Sequence, residues 1–299
     1  MEPPLSPEDY SNPDVATPLV WRLRSQELRL GCPPLVMGIL NVTPDSFSDG
    51  GLHQQTEDAV SAALRMEDDG AAIIDIGGES TRPYSSPVAV DQELRRVVPV
   101  LERLAGRLTI PISIDTSKAA VAGAAIDLGA EIINDVTGLE GDAEMAALAA
   151  ASKVGVCVMH MQGNPQTMQD HPQYIDVVAE ICDYLTRRAR VCLDCGIDRE
   201  RICLDPGIGF GKTHRHNLTL IRNASRFCQL GWPILVGHSR KGFIGKVLGD
   251  NQRDRDPGTV GVSLAMALQG AHVLRVHNVR LTVDALNLFA ACSPSVPLQ

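Results

Sequence analysis

The sequence predicts a (β/α)₈ barrel whose active site lies at the C-terminal ends of its strands, and two observations lead to this prediction. Short buried-type apolar runs recur along the chain, and several follow a glycine that ends a helical pattern, as in 70–75, 129–134 and 270–275. Amphipathic helical patterns separate these runs, so strand and helix alternate eight times. Such an alternation favours a closed parallel barrel.

The predicted elements follow from these patterns in chain order. A doubly wound open sheet, the alternative, normally carries a glycine-rich turn directly after its first strand, and none follows here. In the helix expected over 91–105, Asp91 is the predicted N-cap. The predicted strands lie at 34–40, directly before Asn41, and at 70–75, 110–115, 129–134, 155–160, 201–205, 232–237 and 270–275. The predicted helices span 57–69, 91–105, 118–128, 143–152, 174–194, 216–229, 258–269 and 280–291.

Length and composition allow one large barrel or two small domains, and the strand–helix alternation favours a single barrel with short tails. The chain has 299 residues, 44% of them hydrophobic and 21% charged, which is ordinary for a folded protein and enough for one barrel. Residues 1–18 are rich in proline and are expected to form a poorly ordered arm. The barrel domain is expected over 19–292, followed by a flexible tail at 293–299.

Charge and hydropathy exclude several classes of partner. The net charge is −9 with no basic stripe, which disfavours nucleic-acid binding. No apolar run reaches the length of a membrane span, and no signal-peptide pattern is evident, so we expect a cytoplasmic protein with reduced cysteines. The helix at 258–269 is apolar on nearly every side, which indicates either a subunit contact in a homodimer or burial against neighbouring helices.

Polar residues follow many of the predicted strands, where a barrel places its active site. Four of them, Asp115, Asn134, Asp205 and Lys241, supply the acceptors and donors that suit a flat heterocycle with an amide edge. Helix capping explains any single one of them, and Asp115 before Thr116 is a fair example. Capping does not explain the whole set, because the charge of Lys241 is wrong for a helix N-terminus.

A second group of strand-end residues suits a phosphate. Arg82, Arg275 and His277 supply positive charge for phosphate oxygens, and Asn41 is a candidate magnesium ligand. Together the two groups would bind a heterocycle that carries a pyrophosphate.

Two of the five phenylalanines, Phe47 and Phe210, fall in strand-end loops. They are candidates to clamp a second, aromatic substrate. Simple loop packing is the competing explanation for each of them.

With these residues in view, the chain resembles the dihydropteroate synthase family of folate biosynthesis. The resemblance runs through eight motifs between residues 35 and 279, of which the first two together are highly specific. The motifs are GILNVTPDSFSDGG at 38–51, GGESTRP at 77–83, ISIDTSK at 112–118, IINDV at 132–136, VMHMQGNPQTMQ at 158–169, LDPGIGFGK at 204–212, VGHSRKGFIG at 236–245 and LRVHNV at 274–279.

The resemblance implies a TIM barrel, usually homodimeric, that requires Mg²⁺. It implies a transferase that condenses 6-hydroxymethyl-7,8-dihydropterin pyrophosphate with p-aminobenzoate to give dihydropteroate and pyrophosphate, with sulfonamides competing for the p-aminobenzoate site. The implied pterin-binding residues are Asp115, Asn134, Asp205 and Lys241. The implied pyrophosphate and metal contacts are Asn41, Thr81, Arg82, Arg275 and His277, and the implied p-aminobenzoate pocket is bordered by Phe47, Phe210 and Ser239. Asn41, Lys241, Arg275 and His277 are the expected catalytic residues, with Asn41 the expected metal ligand.

Two positions depart from the family pattern. Tyr84 follows Pro83 where the family commonly has glycine, and Gly242 follows Lys241 where serine is frequent. We expect a stiffer loop at the first position and one missing hydrogen bond near p-aminobenzoate at the second.

Two other functions stay open. A methyltetrahydrofolate-dependent methyltransferase domain would explain the heterocycle group but not the phosphate group. A pterin-binding module without catalysis would explain both groups, although nothing in the residues of loops 41–52 and 79–83 indicates damage.

Overall fold

The computed structural model describes residues 19–43 and 51–292 and contains a barrel of eight parallel strands. A short antiparallel hairpin of β1 (Val20–Arg22) and β2 (Glu27–Arg29) precedes it. The barrel strands are β3 (Leu35–Asn41), β4 (Ile73–Gly77), β5 (Ile112–Asp115), β6 (Ile132–Asp135), β7 (Gly155–Met159), β8 (Ile202–Asp205), β9 (Leu235–Val236) and β10 (Val273–Val276). They pair in the order β8-β7-β6-β5-β4-β3-β10-β9, and a parallel bridge between Leu204 and Ile234 closes the ring.

Helices follow the barrel strands and cover the outside of the ring. The predicted (β/α)₈ barrel is confirmed. The predicted arm at 1–18 and tail at 293–299 lie outside the described residues. The helices are α1 (Gly51–Asp68), α2 (Val90–Leu104), α3 (Ala119–Asp127), α4 (Met145–Ser152), α5 (Val177–Asp194), α6 (His214–Arg222), α7 (Ala224–Cys228), α8 (Gly242–Leu248), α9 (Asp256–Leu268) and α10 (Val279–Cys292).

Three local features differ from the sequence-based predictions. Helix α2 begins at Val90 with Ala89 at the N-cap position and no side-chain cap, so the prediction of Asp91 as N-cap was wrong. Asp91 lies in the first turn, where its carboxylate still faces the positive end of the helix. The hairpin and α8 were not predicted, because each is too short to show a periodic pattern.

The barrel interior has an apolar lower layer and a polar upper layer. Ile73 and Val273, the first residues of β4 and β10, point inward and are fully buried. Two residues later on the same strands stand Asp75 and Arg275, which point to the same face because side chains alternate along a strand. Ile132 and Asn134 of β6 repeat the pattern. The lower layer thus fixes the register that brings the polar layer to the C-terminal mouth.

The hairpin closes the N-terminal end of the barrel. Trp21 is fully buried beneath the apolar layer, and its indole N–H donates to the carbonyl of Arg201 at 2.9 Å. The guanidinium of Arg201 donates in turn to the carbonyl of Leu23 at 2.6 Å. Gly155 allows this closure, because a Cβ there would lie 2.7 Å from Leu23. Among the described residues, the hairpin covers the N-terminal end of the barrel, and the mouth where the polar residues lie stays open.

Within residues 19–43 and 51–292, no helix is long and apolar enough to cross a bilayer.

Candidate functional site

A cavity of about 1470 Å³ occupies the C-terminal mouth of the barrel. Two predicted site residues, Asn134 and Asp205, are buried at strand ends and do not line this cavity. Phe47 lies outside the described residues. The other predicted site residues all line the cavity: Asn41, Thr81, Arg82, Asp115, Phe210, Ser239, Lys241, Arg275 and His277.

Arg275 lies at the centre of the site, held between two carboxylates. Its Nε donates to Asp75 Oδ2 and its Nη2 donates to Asp115 Oδ2, both at 2.6 Å. Burial by itself would lower the pKa of Arg275, but the charges of Asp75 and Asp115 outweigh it and raise this pKa, so the guanidinium stays charged. Burial raises the pKa of Asp115 to about 7, against the opposing charge of Arg275.

Asp75 is the last residue of the predicted strand 70–75 and was not predicted as a site residue, yet it organises two predicted site residues. Its Oδ2 accepts from Arg275 and also from the amide of Asn134 at 3.0 Å, which fixes the orientation of that amide. Asp75 is fully buried, and its Oδ1 has no hydrogen-bond partner among the described residues. The signal was present in the sequence, since Asp75 follows Ile73 by two residues and shares its inward face.

Asp205 and Lys241 form the opposite wall of the site. Asp205 Oδ1 accepts from the backbone N–H of Gly207 at 2.6 Å, and burial raises the pKa of Asp205. Lys241 donates to the carbonyl of Ile208, and its ammonium lies 4.4 Å from the ring centre of Phe210. Burial lowers the pKa of Lys241 to about 7, opposed by the charge of Asp205.

A buried lysine, Lys212, supports this wall and was missed in the sequence. Its ammonium group contacts Nδ1 of His160 at 3.0 Å and donates to the carbonyl of Phe210 at 2.8 Å. Burial lowers the pKa of Lys212 well below its usual range, and burial followed by the charge of Lys212 lowers the pKa of His160 to about 3. The loop needs Gly207 here, because a Cβ would lie 1.9 Å from the carbonyl oxygen of His160.

Ser239 and His277 form a pair on the β9–β10 side. Ser239 Oγ accepts from the backbone N–H of His277 at 3.2 Å and lies 2.9 Å from its Nδ1, to which the hydroxyl can donate. Burial, then the charges of Arg240 and Arg275, lowers the pKa of His277 to about 4, so the ring is neutral at pH 7. Arg240 turns away to form a two-pronged ion pair with Asp256 of α9, at 2.6 and 2.8 Å.

Thr81 and Arg82 reach the cavity from the loop between β4 and α2, residues 78–89, which we call the rim loop. Arg82 is exposed and forms no ion pair with any described residue, so its charge is available to a ligand. The base of the loop is fixed: Lys118 pairs with Glu79 of the loop and, at 2.6 Å, with fully buried Glu93 of α2.

A metal ion in this site would depend on its ligand. Among the described residues, no group of three or more His, Cys, Asp or Glu side chains is arranged to hold a metal. Asn41 offers one amide oxygen at the end of β3, facing the cavity that Arg82 and Arg275 also line. Mg²⁺ commonly binds through one or two protein oxygens, waters and substrate phosphates, so Asn41 fits an ion carried in by a phosphate.

The neutral state of His277 predicts a loss of stability in acid. The ordinary pKa of His277, 6.5, falls to about 4 on folding. Between these two pH values the imidazole is therefore protonated in the unfolded chain but neutral in the folded chain. The stability that neutral His277 contributes is complete above pH 6.5 and is lost as the pH falls toward 4. We expect His277→Asn, whose amide oxygen replaces Nδ1 as acceptor, to reduce the stability lost between pH 7 and pH 5 by at most about 2 kcal/mol.

Urea unfolding of wild type and variant at the two pH values measures this difference. The matched control is His171→Asn at an exposed histidine, which should leave the pH dependence unchanged. Equal pH dependence in wild type and His277→Asn would contradict a neutral His277.

Comparison with known proteins agrees with this geometry. The family described as pterin binding enzyme matches residues 37–277. The dihydropteroate synthase of Escherichia coli strain K12 is 48% identical over 260 residues, which cover 86% of this chain and 91% of that protein.

Two solved structures from Xanthomonas albilineans are also similar. Its dihydropteroate synthase with 4-aminobenzoic acid superposes with a TM-score of 0.86 at 44% identity, covering 94% of this chain and all of that one. The same enzyme in complex with 7,8-dihydropteroate gives a TM-score of 0.83 at 42% identity, with 93% of this chain and 100% of that chain covered. The chain therefore belongs to the dihydropteroate synthase family of pterin-binding enzymes.

Proposed function

We propose that this protein is a transferase that condenses 6-hydroxymethyl-7,8-dihydropterin pyrophosphate with p-aminobenzoate, giving 7,8-dihydropteroate and pyrophosphate. The observation that carries the proposal is the convergence, at one mouth, of buried carboxylates and an amide beneath a cationic wall. The relatives named above are dihydropteroate synthases, and one solved structure holds 4-aminobenzoic acid while the other holds the dihydropteroate product.

The pterin ring would be held by the polar layer. Asp115 uses only Oδ2 toward Arg275, so its Oδ1 remains for ring and amino N–H donors. Asp205 likewise keeps Oδ2 beside the backbone contact of its Oδ1. Asn134, oriented by Asp75, and Lys241 supply donors for the ring acceptors. This arrangement would hold the ring with its methylene carbon toward the cavity.

The reaction breaks the bond between that methylene carbon and the pyrophosphate oxygen, and the electron pair leaves with the pyrophosphate. Arg275 keeps three guanidinium N–H groups beyond its two carboxylate bonds, and with Arg82 it would stabilise the developing negative charge. His277 is neutral and presents a ring nitrogen beside them. The amine nitrogen of p-aminobenzoate then forms the new bond to carbon and gives up one proton to the departed pyrophosphate or to solvent, so no covalent enzyme nucleophile is needed.

The second substrate would lie between Phe210 and Ser239. Phe210 is fixed by the ammonium of Lys241 over its ring and by the carbonyl bond to Lys212. At Gly242 the nearest atom to a Cβ is 3.8 Å away, so the missing serine leaves open space rather than a rearranged backbone.

The first experiment mixes the purified protein with both substrates and MgCl₂. We expect dihydropteroate and pyrophosphate in equal amounts. We expect Asp115→Asn to lower kcat/KM for the pterin substrate by about 10- to 100-fold, because a charged acceptor for ring N–H groups is lost. The control Asp68→Asn, exposed at the end of α1, should match wild type. Binding of the pterin pyrophosphate without turnover by folded protein would instead identify a non-catalytic module.

We also propose that Mg²⁺ enters with the pyrophosphate and that Asn41 is its protein ligand. The ion would neutralise phosphate charge as the leaving group departs. We expect weak binding of Mg²⁺ alone in calorimetry, and pyrophosphate binding that strengthens when Mg²⁺ is present. Asn41→Ala should reduce that strengthening and Asn41→Asp should retain it, because aspartate keeps an oxygen ligand. Tight Mg²⁺ binding to the ligand-free protein, unaffected by Asn41→Ala, would contradict the proposal.

We also propose a homodimer, on the basis of exposed apolar side chains rather than of the apolar pattern in α9. In α9, Val262 and Leu264 pack against the core, so burial explains most of the apolar pattern that suggested a subunit contact. However, five of the ten large exposed apolar side chains among the described residues lie in α8, α9 and α10, including Leu268 at 72% and Leu288 at 68% exposure. A subunit interface formed by these helices would cover these side chains.

Light scattering tests the dimer. We expect twice the chain mass for wild type and for Ile175→Glu, a control at a fully exposed apolar residue elsewhere. We expect the double variant Leu268→Glu, Leu288→Glu to give a monomer, because two introduced charges oppose burial of these positions in an interface. A monomeric wild type would exclude the dimer.

The cytoplasmic location also stays a proposal, supported by the free thiols of all eight cysteines. Cell fractionation that recovers the protein outside the cytoplasm would exclude it.

A further inference from the structure

Tyr84 stands at the tip of the rim loop in a backbone conformation that tyrosine rarely adopts. Its φ is 66°, in the left-handed region that favours glycine. A residue with a Cβ persists there only when the surrounding contacts over-determine its conformation. The contacts of Tyr84 are therefore informative.

Two hydrogen bonds hold Tyr84, and both go to the loop between β7 and α5, residues 160–176. Its backbone N–H donates to the carbonyl of Pro165 at 3.0 Å. Its hydroxyl donates to Asp170 Oδ1 at 3.2 Å, and the same hydrogen bond raises the pKa of Tyr84. Glycine, the residue expected here from the resemblance, would keep the first bond and lose the second.

These bonds span the barrel mouth. Strands β5 and β6 lie between β4 and β7 in the sheet, so the rim loop reaches over two strand ends to meet its partner. The 160–176 loop is itself fastened to the next loop: Gln169 donates to the carbonyl of Gly209 at 2.6 Å and Tyr174 to that of Gly211 at 2.8 Å. Tyr84 thus connects the rim loop to the wall that carries Phe210.

The rim loop is consequently fixed at both ends. At its base, Glu79 pairs with Lys118 and accepts from the backbone N–H of Val88 at 2.8 Å. At its tip, Tyr84 makes the two bonds to the 160–176 loop. Thr81 and Arg82 lie between these anchors and face the cavity. Arg82 is exposed and has no ion-pair partner among the described residues, so its position depends on the conformation of the loop backbone.

We propose that Tyr84 is a positioning residue: it ties the rim loop across the mouth and so holds Arg82 at the cavity wall before substrate binds. Such preorganisation reduces the ordering entropy that a phosphate-bearing ligand must overcome. Tyr84 acts through Arg82 and touches no reacting atom. The inference rests on the proposed role of Arg82 toward pyrophosphate.

The tie itself is tested without substrate by hydrogen exchange of the rim-loop amides. We expect faster exchange over 79–89 in Tyr84→Gly, and a smaller increase in Tyr84→Phe and in Asp170→Ala. Asp170→Asn, which keeps an acceptor oxygen, should resemble wild type. Because Tyr84→Phe and Asp170→Ala remove the same bond, combining them should add nothing. Unchanged exchange in all variants would overturn the proposal, whatever the protein catalyses.

The action through Arg82 is tested by binding of inorganic pyrophosphate with Mg²⁺, measured by calorimetry. We expect Tyr84→Gly to weaken binding by about threefold to tenfold, the range of one hydrogen bond. In an Arg82→Ala background the same substitution should have no further effect. An undiminished effect in that background would show a general structural role and overturn the positioning role.

Failure of the proposed function is recognisable separately. It would appear as a wild-type protein that neither binds pyrophosphate nor forms dihydropteroate, and the exchange experiment would still decide whether Tyr84 fixes the loop. Should Tyr84→Gly fail to fold, the Tyr84→Phe and Asp170→Ala pair tests the same bond with smaller changes.

Discussion

The site depends on one buried interaction, the guanidinium of Arg275 between the carboxylates of Asp75 and Asp115. An uncompensated charge in a barrel interior is strongly disfavoured, so the three residues must come together or none can be ionised there. Asp75 and Asp115 come from the consecutive strands β4 and β5, whereas Arg275 comes from β10, the last strand of the barrel, which pairs with β3. The ion pairs therefore require the last barrel strand to return beside the first, and this return brings the other strand ends to the same mouth.

Register links this interaction to the apolar layer below it. Asp75 and Arg275 follow Ile73 and Val273 by two residues, so packing of the lower layer decides which face the charged residues occupy. A slip of one residue in β4 would turn Asp75 outward among helices and place Ile74 in the polar layer. The buried hairpin with Trp21 reinforces the register by closing the lower end. Hydrophobic packing at one end of the barrel thus sets the chemistry at the other.

The sequence predicts this arrangement as far as local patterns reach. Strand ends such as Asp115 and Asp205 are recognisable because an apolar run stops at a charged residue, and the barrel then brings the ends together. Contacts between distant segments leave no local pattern. Arg275 and Asp75 are 200 residues apart in the sequence, and Lys212 and His160 are 52 residues apart. Helix α8 has seven residues, too few for a helical period to be seen.

The two buried cations of the site, Arg275 and Lys241, respond differently to burial, and this difference suits them to different roles. Two carboxylates keep Arg275 charged, while burial lowers the pKa of Lys241 to about 7, with the charge of Asp205 opposing this shift and the charge of Arg275 adding to it. The permanent charge of Arg275 suits the binding of phosphate. Lys241, with a pKa near 7, suits hydrogen bonding to an uncharged ring. Asp115, which pairs with Arg275, has its own pKa raised to about 7 by burial. A ligand that donates a hydrogen bond to Asp115 Oδ1 favours the ionised form of this carboxylate. Arg275 can then donate its remaining N–H groups to an anion while it keeps its hydrogen bonds to Asp75 and Asp115.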